Sequence, residues 1–352
     1  MNGGKTLSRA TIAEVDVTGQ FDEVLDLPEH LRDALWRVES AGLKPHDSAG
    51  GLVIAGMGGS AIGGALARAV LGDSASRPIV VARDYGLPGW TTPDTTVLCS
   101  SYSGNTEETL AAYDAAQALG ARTIVMTTGG KLAEQARIDG VPVIPIPGGF
   151  QSRAAVAYSL VAALEVARLC GAGEGMHAEV DVAAEHAVGL AAAWGPDAEE
   201  NSLAKTLARG LHGTIPQIAG AALTAPVAYR WKTQINQNAK TPAFSGELPE
   251  VDHNELVGWD GARSLGPFSA VFLDDSDLHP RVRQRIELTR GLIASHGGAT
   301  FRVETIGQTR LARLISVVLL GDLVSLYLAV LRGVDPAPVD AIESLKAALT
   351  GG

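Results

Sequence analysis

Short apolar runs alternate with segments of helical periodicity in the first half of the chain. The apolar runs occupy residues 51–56, 78–84, 95–100, 123–128 and 141–147, and helical patterns occupy 60–72 and 106–120. Apolar runs of this length, bounded by turn residues, are typical of buried strands. Strands that alternate with helices predict a parallel sheet with helices on both faces.

The second half of the chain repeats this alternation after an Ala-rich helical stretch. Strands are predicted at 214–220, 269–275 and 299–304, and helices at 223–239, 281–296 and 309–333. We therefore expect an α/β fold with two similar lobes, each a parallel sheet flanked by helices. The expected organisation is an N-terminal helical arm (1–49), a first lobe (50–170), a helical bridge (171–205) and a second lobe with C-terminal helices (206–352).

Composition narrows the classes of function. The chain has 352 residues and a formal net charge of -11, so nothing favours binding to nucleic acid or to anionic lipid. The longest apolar stretch, 314–331, is interrupted by Asp322 and Ser325 and is interpreted as a buried helix. The N-terminus lacks an apolar segment of signal-peptide length, and Cys99 and Cys170 form no CxxC pair. We expect a soluble cytoplasmic protein without a structural metal or disulfide.

The segment SSYSGNTEETL (100–110) is the sharpest candidate for a binding loop. It follows the third predicted strand and opens a helix, where unpaired N–H groups and the positive end of the helix dipole face outward. Ser101, Ser103 and Thr106 add hydroxyls at that point, and Gly104 lets the backbone approach a ligand. This combination favours a phosphate site. The alternative is an ordinary N-cap at Thr106, with Glu108 close to capping-box register.

A second glycine-rich turn, GMGGSAIGG (56–64), also joins a predicted strand to a helix. It superficially resembles a dinucleotide fingerprint, but its spacing differs from GxGxxG. The acidic candidate for the ribose is Asp84, which is followed by Tyr85 and a Gly-Pro turn. A nucleotide site is therefore the weaker interpretation of this loop.

Together these loops resemble the sugar isomerase (SIS) fold and, more narrowly, the bifunctional phosphoglucose/phosphomannose isomerases of archaea and bacteria. The similarity extends along nearly the whole chain beyond the arm. It rests on GMGGS, SYSGNTEET, the RDY turn (83–85), TTGGKLAE (127–134), QSRAA (151–155), RWKTQINQNAK (230–240), PEVDHNE (249–255) and RGVDPAPVDAIESLK (332–346). It implies two SIS lobes, a homodimer, a hexose 6-phosphate as substrate, and no cofactor or metal.

The resemblance also implies roles for individual residues. The phosphate would be held by the two glycine and hydroxyl loops, at Gly58, Gly59, Ser60, Ser101, Ser103 and Thr106. Arg153 would lie near the reacting carbons, His253 would assist ring opening, and Lys346 would close the site. In a dimer, His253 could reach the site of the neighbouring subunit. Each also has a structural interpretation: Arg153 as a helix cap or ion-pair partner, His253 as a structural histidine, and Lys346 as a solvated side chain.

One position departs from the family pattern. Aldose–ketose isomerisation needs a base to move a proton between C1 and C2, and in the family this is a glutamate in an NENAK motif sixteen residues before the histidine. Here the motif reads Asn-Gln-Asn-Ala-Lys over 236–240, and Gln237 stands sixteen residues before His253. An amide does not accept a proton near neutral pH. Val339 also stands where family members can carry a Thr.

Three functional hypotheses follow. The first is an isomerase that interconverts fructose 6-phosphate with glucose 6-phosphate and mannose 6-phosphate, with Glu247, Glu250 or Glu255 as a candidate substitute base. The second is a catalytically impaired relative that binds sugar phosphates as a sensor or scaffold. The third, an activity on an amino-sugar phosphate, is weakened because the glutamine-hydrolysing domain usual for it is absent.

Overall fold

The computed structural model describes residues 6–350 and contains two separate parallel sheets. The first has the strand order β2-β1-β3-β4-β5. Its strands are β1 (Leu52–Gly56), β2 (Ile79–Ala82), β3 (Thr96–Ser100), β4 (Arg122–Thr127) and β5 (Val143–Pro145). All five predicted strands are confirmed. β1, β3 and most of β4 are buried apolar runs, whereas the edge strands β2 and β5 are partly exposed.

Helices connect these strands, as parallel pairing requires. Three of them, α4, α5 and α6, return the chain between strands, and α7 follows the last strand. With the arm helices, the series is α1 (Arg9–Ala13), α2 (Gln20–Leu25), α3 (Leu27–Ser40), α4 (Gly58–Leu71), α5 (Glu107–Leu119), α6 (Gly130–Asp139) and α7 (Val156–Leu169). Since Gly56 pairs with Ser100 across β1 and β3, the loops that enter α4 and α5 leave the sheet side by side.

The second sheet has the order β7-β6-β8-β9. Its strands are β6 (Ile215–Gly220), β7 (Phe244–Glu247), β8 (Phe268–Asp274) and β9 (Ala299–Glu304). The prediction missed β7, a four-residue edge strand of sequence FSGE that has little apolar character. The parallel sheets and flanking helices confirm the predicted α/β class.

The remaining helices surround and join the two sheets. They are α8 (His177–Trp194), α9 (Leu203–Leu211), α10 (Ala225–Asn238), α11 (Ala262–Leu265), α12 (Pro280–Ser295), α13 (Arg310–Arg332) and α14 (Asp340–Thr350). Two 3₁₀ helices, Glu250–His253 and Glu255–Gly261, follow β7. The arm packs on the body of the protein: the Phe21 ring lies 5.0 Å from that of Tyr327, and the Tyr158 hydroxyl donates to Asp33.

Helix α13 forms the centre of the core. By length and composition alone this helix would be able to cross a membrane, but 94% of its most apolar 18-residue stretch is buried inside the protein. Its buried carboxylate, Asp322, pairs with Arg230 at 2.6 Å and accepts a hydrogen bond from Gln234. A buried charge is tolerated when it is paired in this way. The predicted buried helix is therefore confirmed.

The contact between α10 and α13 depends on one glycine. Trp231 is fully buried on α10, and its indole N–H donates to the Val317 carbonyl at 2.7 Å. The ring lies so close to Gly321 that a Cβ there would overlap it. A small residue at 321 thus lets α10 approach the core helix.

We predict that Gly321→Ala lowers the free energy of unfolding by about 1–3 kcal/mol, because the added methyl group overpacks the Trp231 site. The matched control is Gly189→Ala at an exposed position on α8, where an added Cβ meets nothing within 4 Å. This control should raise stability by about 0.5–1 kcal/mol through helix propensity. Urea unfolding of both variants measures the difference. Equal effects would contradict the packing argument.

Candidate functional site

The turn after β3 holds its hydroxyls through internal hydrogen bonds. The Ser101 hydroxyl donates to Thr106 Oγ1 at 2.9 Å and accepts from the Gly104 N–H at 3.1 Å. Thr106 occupies the N-cap position of α5, but its side chain makes no capping hydrogen bond within residues 6–350. Thr106 thus stands where the N-cap interpretation places it, but it does not cap the helix through its side chain. The turn presents hydroxyls and helix N–H groups at the same point, an arrangement suited to an anion.

Glycines fix this turn against the loop after β4. Gly104 has a φ of +67°, and a Cβ there would overlap the Gly129 carbonyl. Across the contact, a Cβ at Gly130 would overlap the Ser103 carbonyl, and the Lys131 N–H donates to Asn105 Oδ1 at 3.1 Å. The TTGGK motif thus packs against the hydroxyl-rich turn and holds it in position.

The start of α4 lies beside the same turn. Ser60 Oγ accepts a hydrogen bond from the Tyr102 N–H at 3.2 Å, and the Ser100 hydroxyl donates to the Ser60 carbonyl. Gly58 has a φ of +51°, so the backbone turns into the helix in a conformation that favours glycine. The structure therefore brings the two predicted loops together, with the N-termini of α4 and α5 adjacent.

Gly59, at the start of α4, packs against the backbone of the segment that precedes α7. A Cβ at this position would lie 2.6 Å from the Ser152 carbonyl oxygen and 3.3 Å from the Arg153 Cα. Only a glycine lets these two backbones approach so closely. The backbone of Arg153 is thus packed directly against the predicted phosphate loops.

The side chain of Arg153 runs from these loops to the second half of the chain. It is buried, with 6% of its surface exposed. Its Nε donates to Asn238 Oδ1 at 2.7 Å, and its Nη2 donates to the carbonyls of Pro336 and Ala337 at 2.9 and 3.1 Å. Burial, followed by the charge of Arg230, lowers the pKa of Arg153. Neither a helix cap nor an ion pair describes this residue, which clamps the end of α10 to the turn before α14.

Gln237 is the penultimate residue of α10 and is half-buried. It lines an open cavity of about 580 Å³ together with Lys240 and the start of α14. The Lys240 ammonium donates to the carbonyls of Gln237 and Pro336 at 2.6 and 3.0 Å. Burial, and then the nearby Arg153 charge, lowers the pKa of Lys240. The position of the family base therefore faces a cavity with a cation beside it.

His253 and Lys346 lie on two other elements of the chain. His253 is an exposed residue at the end of a 3₁₀ helix, and no described contact joins it to Arg153 or Gln237. Lys346 is exposed on α14, the helix whose first turn forms a wall of the cavity.

The three acids considered as substitute bases lie elsewhere. Glu250 accepts a hydrogen bond from Asn254 at 2.8 Å, and Glu255 accepts one from Gln217. Glu247 lines a separate cleft with Ala222. None of the three lines the cavity at Gln237, so the structure gives no support to any of them as a base within one chain.

Sequence reasoning missed two contributors near the binding loop. Glu23, from the arm, accepts a hydrogen bond from the Gln151 N–H at 3.4 Å, and burial raises the pKa of its carboxyl group. The Tyr102 hydroxyl accepts from the Phe150 N–H at 3.3 Å. Tyr102 lies inside the hydroxyl-rich loop, so its position in the sequence could have indicated its involvement. Nothing in the sequence around Glu23 indicates that it contacts this region.

Solved structures share this architecture. A hypothetical protein from Thermus thermophilus superposes with a TM-score of 0.74 at 17% identity, covering 98% of this chain and 94% of its own. A glucose-6-phosphate isomerase like protein from the same organism has a TM-score of 0.64 at 20% identity, covering 97% and 99%. At these identities the likeness establishes the fold alone.

Sequence comparison is more specific. Residues 200–349 match the family of the bacterial phospho-glucose isomerase C-terminal SIS domain. A bifunctional phosphoglucose/phosphomannose isomerase of Caldicellulosiruptor bescii is 42% identical over 331 residues, which cover 93% of this chain and 97% of that protein. One from Aquifex aeolicus is 36% identical over 302 residues, covering 84% and 89%. The chain therefore belongs to the bifunctional phosphoglucose/phosphomannose isomerase family.

Proposed function

We propose that this protein is a phosphosugar isomerase that interconverts fructose 6-phosphate with glucose 6-phosphate and mannose 6-phosphate. The observation that carries the proposal is the cluster of glycines and hydroxyls where α4 and α5 begin, connected through Arg153 to the end of α10, where Gln237 lies. Family relatives of high coverage bear the name of this activity. A phosphate is the natural ligand for the hydroxyls of Ser60, Ser101 and Thr106.

In this proposal, the phosphate loops fix one end of the sugar and leave C1 and C2 free to reach the α10 cavity. Proton transfer between these carbons passes through an enediolate, whose negative charge favours nearby cations. Lys240 supplies positive charge at the cavity, Arg153 adds a second charge from its buried position at the end of α10, and Lys346 closes the site from α14. Ring opening is assigned to His253. The chemistry is an internal transfer of hydrogen and needs no metal or cofactor.

We further propose a cytoplasmic homodimer in which His253 reaches the site of the neighbouring subunit. Its exposed position away from Arg153 within one chain supports this arrangement. Two free, buried cysteines suit a reducing compartment. A two-fold axis would place both copies of His253 equivalently, so two sites would be completed at once.

The domain division is part of the same proposal. We assign the phosphate loops to the first lobe (50–170) and the cavity residues to the second lobe with its C-terminal helices (206–352). The arm (1–49) and the bridge (171–205) serve as packing elements.

The first test concerns turnover. We expect the native protein to convert fructose 6-phosphate into both aldose phosphates, measured by separate coupled assays. Gln237→Glu should raise kcat by about tenfold or more, because it supplies a carboxylate at the family's base position. Substrate binding without turnover by the native protein, with activity only in the variant, would instead identify an impaired family member that acts as a sensor or scaffold.

A second prediction concerns the phosphate loop. Ser101→Ala should raise KM for fructose 6-phosphate by about ten- to a hundredfold, because hydrogen bonds to charged groups contribute about 1.5–3 kcal/mol. The effect on kcat should be smaller, since the phosphate is held alike in the ground and transition states. Ser295→Ala is the control, since this exposed hydroxyl donates to the Leu292 carbonyl of its own helix. An unchanged KM in Ser101→Ala would contradict the assigned site.

A third prediction concerns the partner subunit. His253→Ala and the double variant Ser101→Ala/Ser103→Ala should each lose activity. Mixing them after reversible dissociation should restore about a quarter of the native activity, because half of the dimers are mixed and each contains one intact site. No recovery, with mixed dimers demonstrated by mass spectrometry of differently tagged chains, would place His253 in the site of its own chain.

A further inference from the structure

The cavity at Gln237 contains one carboxylate among the described residues. Ten residues line it: Asn236, Gln237, Lys240, Thr241, Pro242, Pro338, Val339, Asp340, Ala341 and Ile342. Asp340 is the acidic side chain of this set. It lies on the first turn of α14, whereas Gln237 belongs to α10. The cavity lining that lacks the family glutamate thus includes an aspartate.

The clamp that holds the end of α10 also holds the turn that leads to Asp340. In the turn that precedes it, the Pro336 and Ala337 carbonyls accept hydrogen bonds from Arg153, and Pro336 also accepts one from Lys240. Asp335 steadies this turn by accepting the Ala337 N–H at 2.9 Å. The Arg153 guanidinium therefore joins the end of α10, which carries Gln237, to the turn that leads to Asp340.

We propose that Asp340 is the base that moves the proton between C1 and C2 in this protein, an inference that rests on the proposed isomerase function. Its carboxylate takes the proton from C2 of the open-chain aldose phosphate, while the carbonyl oxygen at C1 takes a proton from solvent and a cis-enediol forms. The C2 hydroxyl then returns a proton to solvent as the carboxylic acid gives the first proton to C1. The aldehyde carbon is reduced, C2 is oxidised to the ketone, and no other reactant is needed.

Other carboxylates are less suited to this step. Glu23 lies at the far side of the Arg153 segment, where it accepts the Gln151 N–H. Asp335 uses one carboxylate oxygen to hold the turn and does not line the cavity. The open position of Asp340 in the cavity leaves its oxygens accessible to a bound sugar.

The experiment compares four proteins: the native chain, Asp340→Asn, the control Glu343→Gln and the double variant Gln237→Glu/Asp340→Asn. Glu343 is an exposed acid on the same helix that does not line the cavity, so its variant removes an equal charge. We expect Asp340→Asn to lose about a hundredfold or more in kcat, with KM for fructose 6-phosphate nearly unchanged. The control should keep native activity, and the double variant should regain turnover.

Exchange of the substrate C–H proton with deuterated solvent, followed by NMR, gives a second measurement that helix packing alone would not change. It should disappear in Asp340→Asn and return in the double variant. Native-like turnover and exchange in Asp340→Asn would overturn the role of Asp340 while leaving the isomerase function intact. Absence of turnover and exchange in the native protein, despite binding of fructose 6-phosphate, would overturn both.

Discussion

The buried guanidinium of Arg153 is the contact on which the site depends. The backbone of Arg153 packs against Gly59, and its side chain extends from there to Asn238 and to the carbonyls of Pro336 and Ala337, to which it donates hydrogen bonds. The Arg153 carbonyl accepts from Arg230, which pairs with Asp322 in the core helix. Removing one partner from such a buried charged network costs about 3–5 kcal/mol. The hydroxyl loops and the cavity at Gln237 therefore keep their relative positions, because the packing at Gly59 and the buried hydrogen bonds of Arg153 join them.

The turn that follows the first strand of each sheet has a similar backbone in both lobes but different polar contacts. The sequence Ile-Ala-Gly ends both β1 and β6, and Gly58 and Ala222 follow with φ values of +51° and +49°. In the second lobe, Thr224 Oγ1 accepts the Ala221 N–H and donates to the Leu273 carbonyl, so the turn satisfies its own polar groups. Acidic residues then follow β8 where serines follow β3. This difference supports assigning the proposed phosphate site to the first lobe.

Periodicity predicted most of the strands and helices because the central strands of the sheets are buried on both faces, which produces continuous apolar runs. It missed β7, whose residues lie at a sheet edge and carry no such run. The phosphate loops were also predictable, since strand, glycine and hydroxyls are neighbours in sequence. The Arg153 clamp and the cavity that Asp340 lines were not predictable from the sequence. The clamp joins residues 85 to 184 positions apart, and the cavity forms only when the chain folds.

The exchange of glutamate for glutamine at 237 changes chemistry rather than structure. Within residues 6–350 the Gln237 side chain makes no hydrogen bond, and its backbone carbonyl serves the clamp through Lys240. Glutamine has nearly the shape of glutamate, so α10, the cavity and the phosphate loops can persist unchanged while a negative charge leaves the cavity. Asp340 remains the one carboxylate among the described residues that line the cavity, and Lys240 lines the same cavity. The hydroxyl loops at the strand ends and this cavity belong to separate elements of the fold, so the proposed phosphate binding and the proposed proton transfer can change independently.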